Sequence, residues 1–128
     1  MNDKVRYWEE ISDYDLDTAI AMLGSKRYLY VGFMCHQSIE KIFKAYFSKL
    51  NSELPPRSHS LSYLAKKGGF YSSLSESQKD FIDIIEPLNI EARYPSQKER
   101  LLRSLTPEKC EEIIESTKSL QKWIKSKL

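Results

Sequence analysis

Residues 25–50 read SKRYLYVGFMCHQSIEKIFKAYFSKL, and this stretch decides the fold. Its apolar side chains recur every three or four residues, which is the spacing of one face of an α-helix. A stripe this wide cannot be buried against one neighbour alone, so we expect a long central helix with several helices packed around it. The stripe consists of Val31, Cys35, Ile39, Ile42 and Tyr46, widened by Phe43, Phe47 and Leu50.

Residues 3–23 have the same helical spacing and predict an opening helix. Asp3 is placed to cap its start, and Gly24 is a natural end. The connection between Gly24 and the central helix is too short for anything but an antiparallel pair. The first two helices are therefore predicted to lie side by side in opposite directions.

After the central helix, residues 51–58 contain two adjacent prolines and predict a loop. A short helix should begin at Ser60 and end at Gly68-Gly69. Ser75 and Gln78 form a capping-box pattern that starts the next helix.

Pro87 lies inside the pattern of that helix, so we expect a kink or break near residues 84–86. Residues 93–105 are mixed and basic and predict a polar loop. Thr106-Pro107-Glu108 then combines a capping hydroxyl, a proline at the first helical position and an early acid, which together predict a final amphipathic helix.

These patterns predict an all-α fold, an antiparallel up-and-down bundle of about five helices, four main and one short. With 128 residues, residues 1–128 should form one domain. Residues 1–24 have a charge balance of −4 and residues 25–50 one of +4, which favours an electrostatically matched pair of segments. The net charge of +2 argues against a general nucleic-acid binder, and RNA is not the favoured ligand.

The cellular location is predicted from what the N-terminus and the apolar runs lack. No secretion signal is visible, and the longest apolar run, at residues 28–35, is far shorter than a membrane span of about 20 residues. We expect a cytoplasmic protein with reduced cysteines and no membrane segment. Cys35 and Cys110 fall on core stripes, so they are expected to be small buried hydrophobes.

A polar strip runs along the central helix at spacings of three and four, formed by His36, Gln37, Glu40, Lys41 and Lys44. Such a strip is most often the solvated face of a long helix, with Glu40 and Lys44 as an ordinary i,i+4 pair. His36 and His59 are the only histidines, so no metal site is expected. Phosphate loops and nucleophile elbows are absent, which leaves no catalytic residue or cofactor to name.

Two loop motifs carry alternative interpretations. His59 beside Arg57, where a loop enters a helix, suits a phosphate at a helix N-terminus, but Ser58 or Ser60 could equally be capping that helix. Arg93-Tyr94-Pro95 offers a guanidinium and a phenol before a turn, or a tyrosine that packs over the end of the bundle.

Taken in order, these motifs resemble the HEPN family, the domain named from higher eukaryotes and prokaryotes nucleotide-binding. Residues 35–45, CHQSIEKIFKA, resemble its "QAxEKxxKA" centre, and residues 56–64 resemble its "P-x-x-H-x-L-x-x-L" turn. Residues 93–95 match its "RYP" element. Trp8, Asp15-Leu16 and Ala19 resemble its opening helix, and residues 106–128 its last one.

The resemblance implies an antiparallel bundle, a homodimer, and frequent association with small nucleotidyltransferase proteins, often as toxin and antitoxin pairs. Some members are ribonucleases that use an arginine followed four to six residues later by a histidine. Here Arg27 precedes His36 by nine positions and Arg57 precedes His59 by two. The pattern of the active ribonucleases is therefore missing, and we lean against an enzyme.

The sequence leads to a noncatalytic nucleotide-binding bundle or nucleotidyltransferase partner. The expected nucleotide-binding residues are Lys41, Lys44, His59, Arg93 and Tyr94. A ribonuclease toxin with a degenerate site, in which His36 or His59 replaces the missing motif, is one alternative. A purely structural dimerisation module is the other.

Overall fold

The computed structural model describes residues 2–91 and 95–128, with the side chains of residues 90, 91 and 95–98 left out. In these ranges the fold is all-α, as predicted, and no strand occurs. None of the helices described is long and apolar enough to cross a membrane. The helices are α1 (Asp3–Gly24), α2 (Tyr28–Leu50), α3 (Leu61–Gly68), α4 (Glu76–Glu91), α5 (Pro95–Ser104) and α6 (Pro107–Lys125), with a 3-10 turn at Tyr71–Ser73.

The central helix α2 is enclosed, because α1, α3, α4 and α6 all pack against it. The predicted stripe forms the core, and Val31, Cys35, Ile39 and Ile42 are fully buried. Leu50 is an exception, since it is 48% exposed at the end of the helix. The expectation of a helix surrounded by others is confirmed.

Paired contacts along α2 give the direction of α1 and α6. Trp8 of α1 lies against Lys44, and Ser12 bonds Ser38, so α1 runs antiparallel to α2. Cys110 of α6 lies at the carbonyl of Tyr28, where α2 begins, and Lys49 near the end of α2 donates to the carbonyl of Leu128. Helix α6 therefore runs parallel to α2.

Helix α4 packs closely against α2. Glu86 lies against His36, Leu88 packs on Gly32, and Asn89 accepts a hydrogen bond from Gln37. A Cβ atom on Gly32 would lie 2.9 Å from Leu88 Cδ1, so the absence of a side chain is what permits this approach.

The helix ends follow local signals, with small differences. Asn2 rather than Asp3 caps α1, accepting a bond from Val5 N at 2.9 Å. Lys26 has a φ of 63°, in the left-handed region, so α2 begins at Tyr28 instead of about Ser25. The remaining predicted caps are confirmed: the Ser60 and Thr106 caps, the Ser75–Gln78 capping box and the Gly69 end of α3.

The second half of the chain differs from expectation in two places. Helix α4 does not break near residues 84–86 but continues through Pro87 to Glu91. Pro87 cannot bond the carbonyl of Asp83, but both residues are exposed, so water can satisfy that carbonyl. Residues 95–104 form α5 instead of a polar loop, since Leu101 and Leu105, four residues apart, are buried and anchor it.

Candidate functional site

The polar strip of α2, defined above by five side chains, is not a solvated face. His36 is 0% exposed, Glu40 2% and Lys44 8%, because α1, α3 and α4 cover them. Buried charges of this kind persist only with partners, since an isolated ion in the interior is very costly. The interpretation of the strip as an ordinary surface is therefore wrong, and its partners define the site.

Glu40 holds a histidine and a lysine, one on each carboxylate oxygen. Its Oε1 lies 2.9 Å from His59 Nδ1, and its Oε2 accepts a bond from Lys44 Nζ at 3.1 Å. The Lys44 ammonium also lies 5.3 Å from the centre of the Trp8 ring, at cation–π distance. Two of the expected site residues, Lys44 and His59, thus meet on one buried carboxylate.

The His59 ring bridges this buried carboxylate and solvent, with its side chain 57% exposed. A carboxylate can only accept a hydrogen bond, so the Nδ1 beside Glu40 carries the proton. In the neutral ring, Nε2 is then a lone-pair acceptor. Glu40 therefore fixes both the orientation and the tautomer of His59.

Glu86 of α4 forms a second node with His36 and the start of α3. It accepts from Leu61 N at 2.8 Å and from Ser60 Oγ at 3.2 Å, and its Oε2 lies 3.1 Å from His36 Nε2. Burial raises the pKa of Glu86, but the hydrogen bond and charge of His36, together with the backbone N–H groups of α3, outweigh it and lower the pKa overall.

The start of α3 is therefore already capped from within the protein. Ser60 Oγ accepts from Tyr63 N, and Ser58 Oγ accepts from Ser60 N. With the Glu86 carboxylate on Leu61 N, the capping interpretation holds and this helix end is not an open phosphate site. His36 points inward, with a buried Nδ1 that finds no partner in the described part of the chain.

Lys41 follows Glu40 on α2 and has partners of its own. Its ammonium donates to Gln37 Oε1 at 2.9 Å and to Asp15 Oδ2 at 3.5 Å, and Gln37 in turn donates to Asn89. Burial raises the pKa of Asp15, and Lys41 only partly offsets it. The Asp15–Lys41 ion pair joins residues 1–24 to residues 25–50, the two segments whose opposite charges predict such a match.

The structure brings two of the five expected site residues, Lys44 and His59, onto one carboxylate. Lys41 has the separate partners Asp15 and Gln37, and Arg93 and Tyr94 fall outside the described residues. Sequence reasoning missed Glu40 as a shared partner. A spacing signal for Asp15 did exist, because Ser12, Asp15 and Ala19 follow helical periodicity and are all buried.

Other chemistry finds no support in the described ranges. No three His, Cys, Asp or Glu side chains there are grouped to hold a metal ion. Burial raises the pKa of Cys35 to about 12 and that of Cys110 to about 11, so both thiols stay protonated. As predicted, these cysteines are buried members of the core.

Comparisons with known proteins agree with this architecture. A family model described as HEPN domain matches residues 5–127. The crystal structure of TT1696 from Thermus thermophilus is similar, with a TM-score of 0.86 and 20% sequence identity, covering 99% of this chain and 100% of that chain. At this identity the likeness establishes a shared fold. No curated protein matches the sequence.

The Glu40 node predicts a large stability effect. Glu40→Gln keeps the shape but leaves the buried Lys44 ammonium without its counter-charge, and we expect a loss of about 3 kcal/mol or more in urea unfolding. Glu115→Gln, which removes an exposed partner of Lys118, should change the midpoint little. Adding Lys44→Met to Glu40→Gln should recover part of the loss; no recovery would contradict the account.

Glu86 is expected to make a contribution to the stability of the fold that depends on pH. Its pKa is lower in the folded state, so its stabilisation is present above the unfolded value of about 4.3 and is lost as pH falls through the folded value. Glu86→Gln should therefore lower the melting temperature at pH 7, and the gap should narrow below about pH 4. Glu76→Gln, at an exposed position of the same helix, is the control. A gap that stays constant down to acid pH would disprove this.

Proposed function

This chain belongs to the HEPN domain family, and we propose that it is a noncatalytic nucleotide-binding bundle. The proposal includes a cytoplasmic homodimer of one-domain chains that acts beside a small nucleotidyltransferase protein, as half of a toxin–antitoxin type pair. The proposed site consists of Lys41, Lys44, His59, Arg93 and Tyr94.

One observation carries the proposal: a carboxylate that is 2% exposed holds Lys44 in the interior and an exposed His59 at the surface. A surface histidine fixed by a buried acid is preorganised, so a ligand would not have to order it. Because the Nδ1 proton points at Glu40, the opposite edge of the ring presents Nε2 to a ligand.

Lys41 supports the phosphate contact. An ammonium has three N–H groups, and Lys41 uses two of them, for Asp15 and Gln37, in the described part of the chain. Its side chain is 17% exposed, so a phosphate oxygen can approach the third N–H. Charge-assisted hydrogen bonds are roughly twice as strong as neutral ones, which suits an anionic ligand.

Arg93 and Tyr94 enter the proposal through chain connectivity. Asn89 contacts Gln37, which holds Lys41. Arg93 follows Asn89 by four residues, a span of at most about 14 Å. A guanidinium within that reach can donate two hydrogen bonds to one phosphate, and the neighbouring phenol can stack on a base.

Calorimetry with ATP, GTP and their triphosphate analogues tests the nucleotide site. His59→Ala, Lys41→Ala and Arg93→Ala should each weaken binding roughly ten- to hundredfold, the value of a charged hydrogen bond. Lys118→Ala, an exposed lysine on α6, should leave affinity unchanged. If none of the nucleotides gives heat at millimolar concentration, the proposal fails.

Charge reversal at Lys41, which is more exposed than Lys44 and does not pair with Glu40, separates this function from a purely structural dimerisation module. Light scattering would report the oligomeric state of the variant, and circular dichroism its helicity. A retained dimer with lost ligand supports the binding role. A lost dimer supports the structural alternative.

A second candidate is an unconventional ribonuclease, which the His59–Glu40 pair favours. A histidine oriented by a buried carboxylate is an arrangement used for general base catalysis. His59 Nε2 would take the proton of a 2′-hydroxyl, whose oxygen attacks the phosphorus while the 5′-oxygen leaves with a proton from water. His36 cannot act in this way, because it is completely buried.

This candidate predicts growth arrest when the protein is expressed in a bacterial host. His59→Ala should abolish the arrest, and circular dichroism should show that the variant is folded, since Lys44 still pairs with the buried Glu40. A fluorescent RNA substrate would measure cleavage by the purified protein directly. Harmless expression together with intact RNA would rule the ribonuclease out.

A further inference from the structure

A long groove separates α4 from α6, on a different part of the molecule from the polar strip. Three adjoining cavities form it, with volumes of about 380, 190 and 230 Å³. The first and second share Phe81 and Ser116, and the second and third share Ile84, Lys109 and Ile113. The shared lining makes them one continuous feature, named here the α4–α6 groove.

The groove has the length and floor that suit a helix. It extends from Ser75 to Leu88 along α4, about 20 Å at the rise of an α-helix. Apolar side chains line each of its three parts, and Ile84 is 48% exposed. An amphipathic helix that lays its apolar face into such a groove would cover Ile84 and the neighbouring floor.

Acidic side chains border the groove, whose charged lining consists of Glu112, Glu115 and one base, Lys109. Ile84 and Pro87 line the groove, and Asp80 and Asp83 each precede one of them by a single helical turn. The two helices each carry three exposed acids at positions i, i+4 and i+7, which places each set on one edge. These six acids are Glu76, Asp80 and Asp83 on α4, and Glu108, Glu112 and Glu115 on α6.

Acids from both helices adjoin the first cavity. Glu115 of α6 lines it, and Asp80 directly precedes Phe81, which lines it from α4. Three lysines pair with some of these acids, but Asp80, Asp83 and Glu108 have no cationic partner among the side chains that the structure describes. Like charges across a groove repel, and a cationic occupant would relieve that repulsion.

We infer that the α4–α6 groove binds a basic amphipathic helix of a partner protein. Its leucine- or isoleucine-type side chains would cover Phe81, Ile84 and Ile113, and its lysines or arginines would reach the acidic residues of α4 and α6. Nucleic acid is disfavoured by the charge of the edges. The α1 surface of a second copy fits poorly too, since its exposed Tyr7 and Tyr14 lie among acidic residues.

Fluorescence anisotropy with defined peptides tests this inference on the full chain. The probe is a labelled peptide of about four helical turns, with leucines at i, i+3, i+4 and i+7 and lysines on the flanks. One comparison peptide has the same composition in scrambled order, and another has glutamate in place of lysine. The basic amphipathic peptide should bind at least tenfold more tightly than either.

Charge-reversed variants of the protein test whether the acidic residues select the peptide. Asp80→Lys with Glu115→Lys should weaken the basic peptide at least tenfold and allow the acidic peptide to bind. Glu10→Lys with Asp17→Lys, a matched reversal on α1, should change neither. Ile84→Asn should weaken the binding of the basic peptide to the unreversed chain. In the charge-reversed variant, it should weaken the binding of the acidic peptide.

Several results would overturn the inference. These are equal binding of the scrambled peptide, an equal loss in the α1 control, and no binding of the amphipathic peptide at millimolar concentration. Sedimentation velocity adds a fourth, because groove variants that alter self-association would show that a second copy is the occupant. Nucleotide calorimetry on the same variants should be unchanged, so the two proposals can fail separately.

Discussion

The enclosure of α2 is the constraint on which the rest of the structure depends. A buried polar group without a partner costs about 1–3 kcal/mol, so each polar side chain that α2 turns inward must be met by another helix. Ser38 exchanges hydrogen bonds with Ser12, and Gln121 of α6 donates to Ser12 Oγ at 3.0 Å. One polar cluster thereby fixes how α1, α2 and α6 face each other.

Burial beside α2 also affects the acids around the proposed site. Asp15 has a raised pKa because it is buried, so its ionised form lowers the free energy of unfolding at neutral pH. Well-packed apolar side chains are often at least as stabilising as a buried ion pair. An acid that weakens the fold and yet positions Lys41 supports the proposed site, because local rules of stability are commonly broken at functional residues.

Sequence reasoning succeeded where the signal is local and failed where the partner comes from another helix. The Thr106 cap and the core stripe of α2 both depend on residues within a few positions of each other. Glu40 and Lys44 were recognised as a pair, but nothing along α2 shows that His59 approaches the other carboxylate oxygen. Helix α5 was missed because only two buried leucines reveal it. The site residues in the 93–94 segment remain predictions.

Helix α4 is shared by the two surfaces. Its later half turns Glu86 and Asn89 toward α2, and its earlier half lines the α4–α6 groove with Phe81 and Ile84. Glu86 also holds the start of α3, and His59 is the residue just before the Ser60 cap, so the position of α4 helps to set where the His59 ring lies. The proposed groove and the proposed polar site are therefore built on the same rigid helix, and each depends on the packing of α4 against its neighbours.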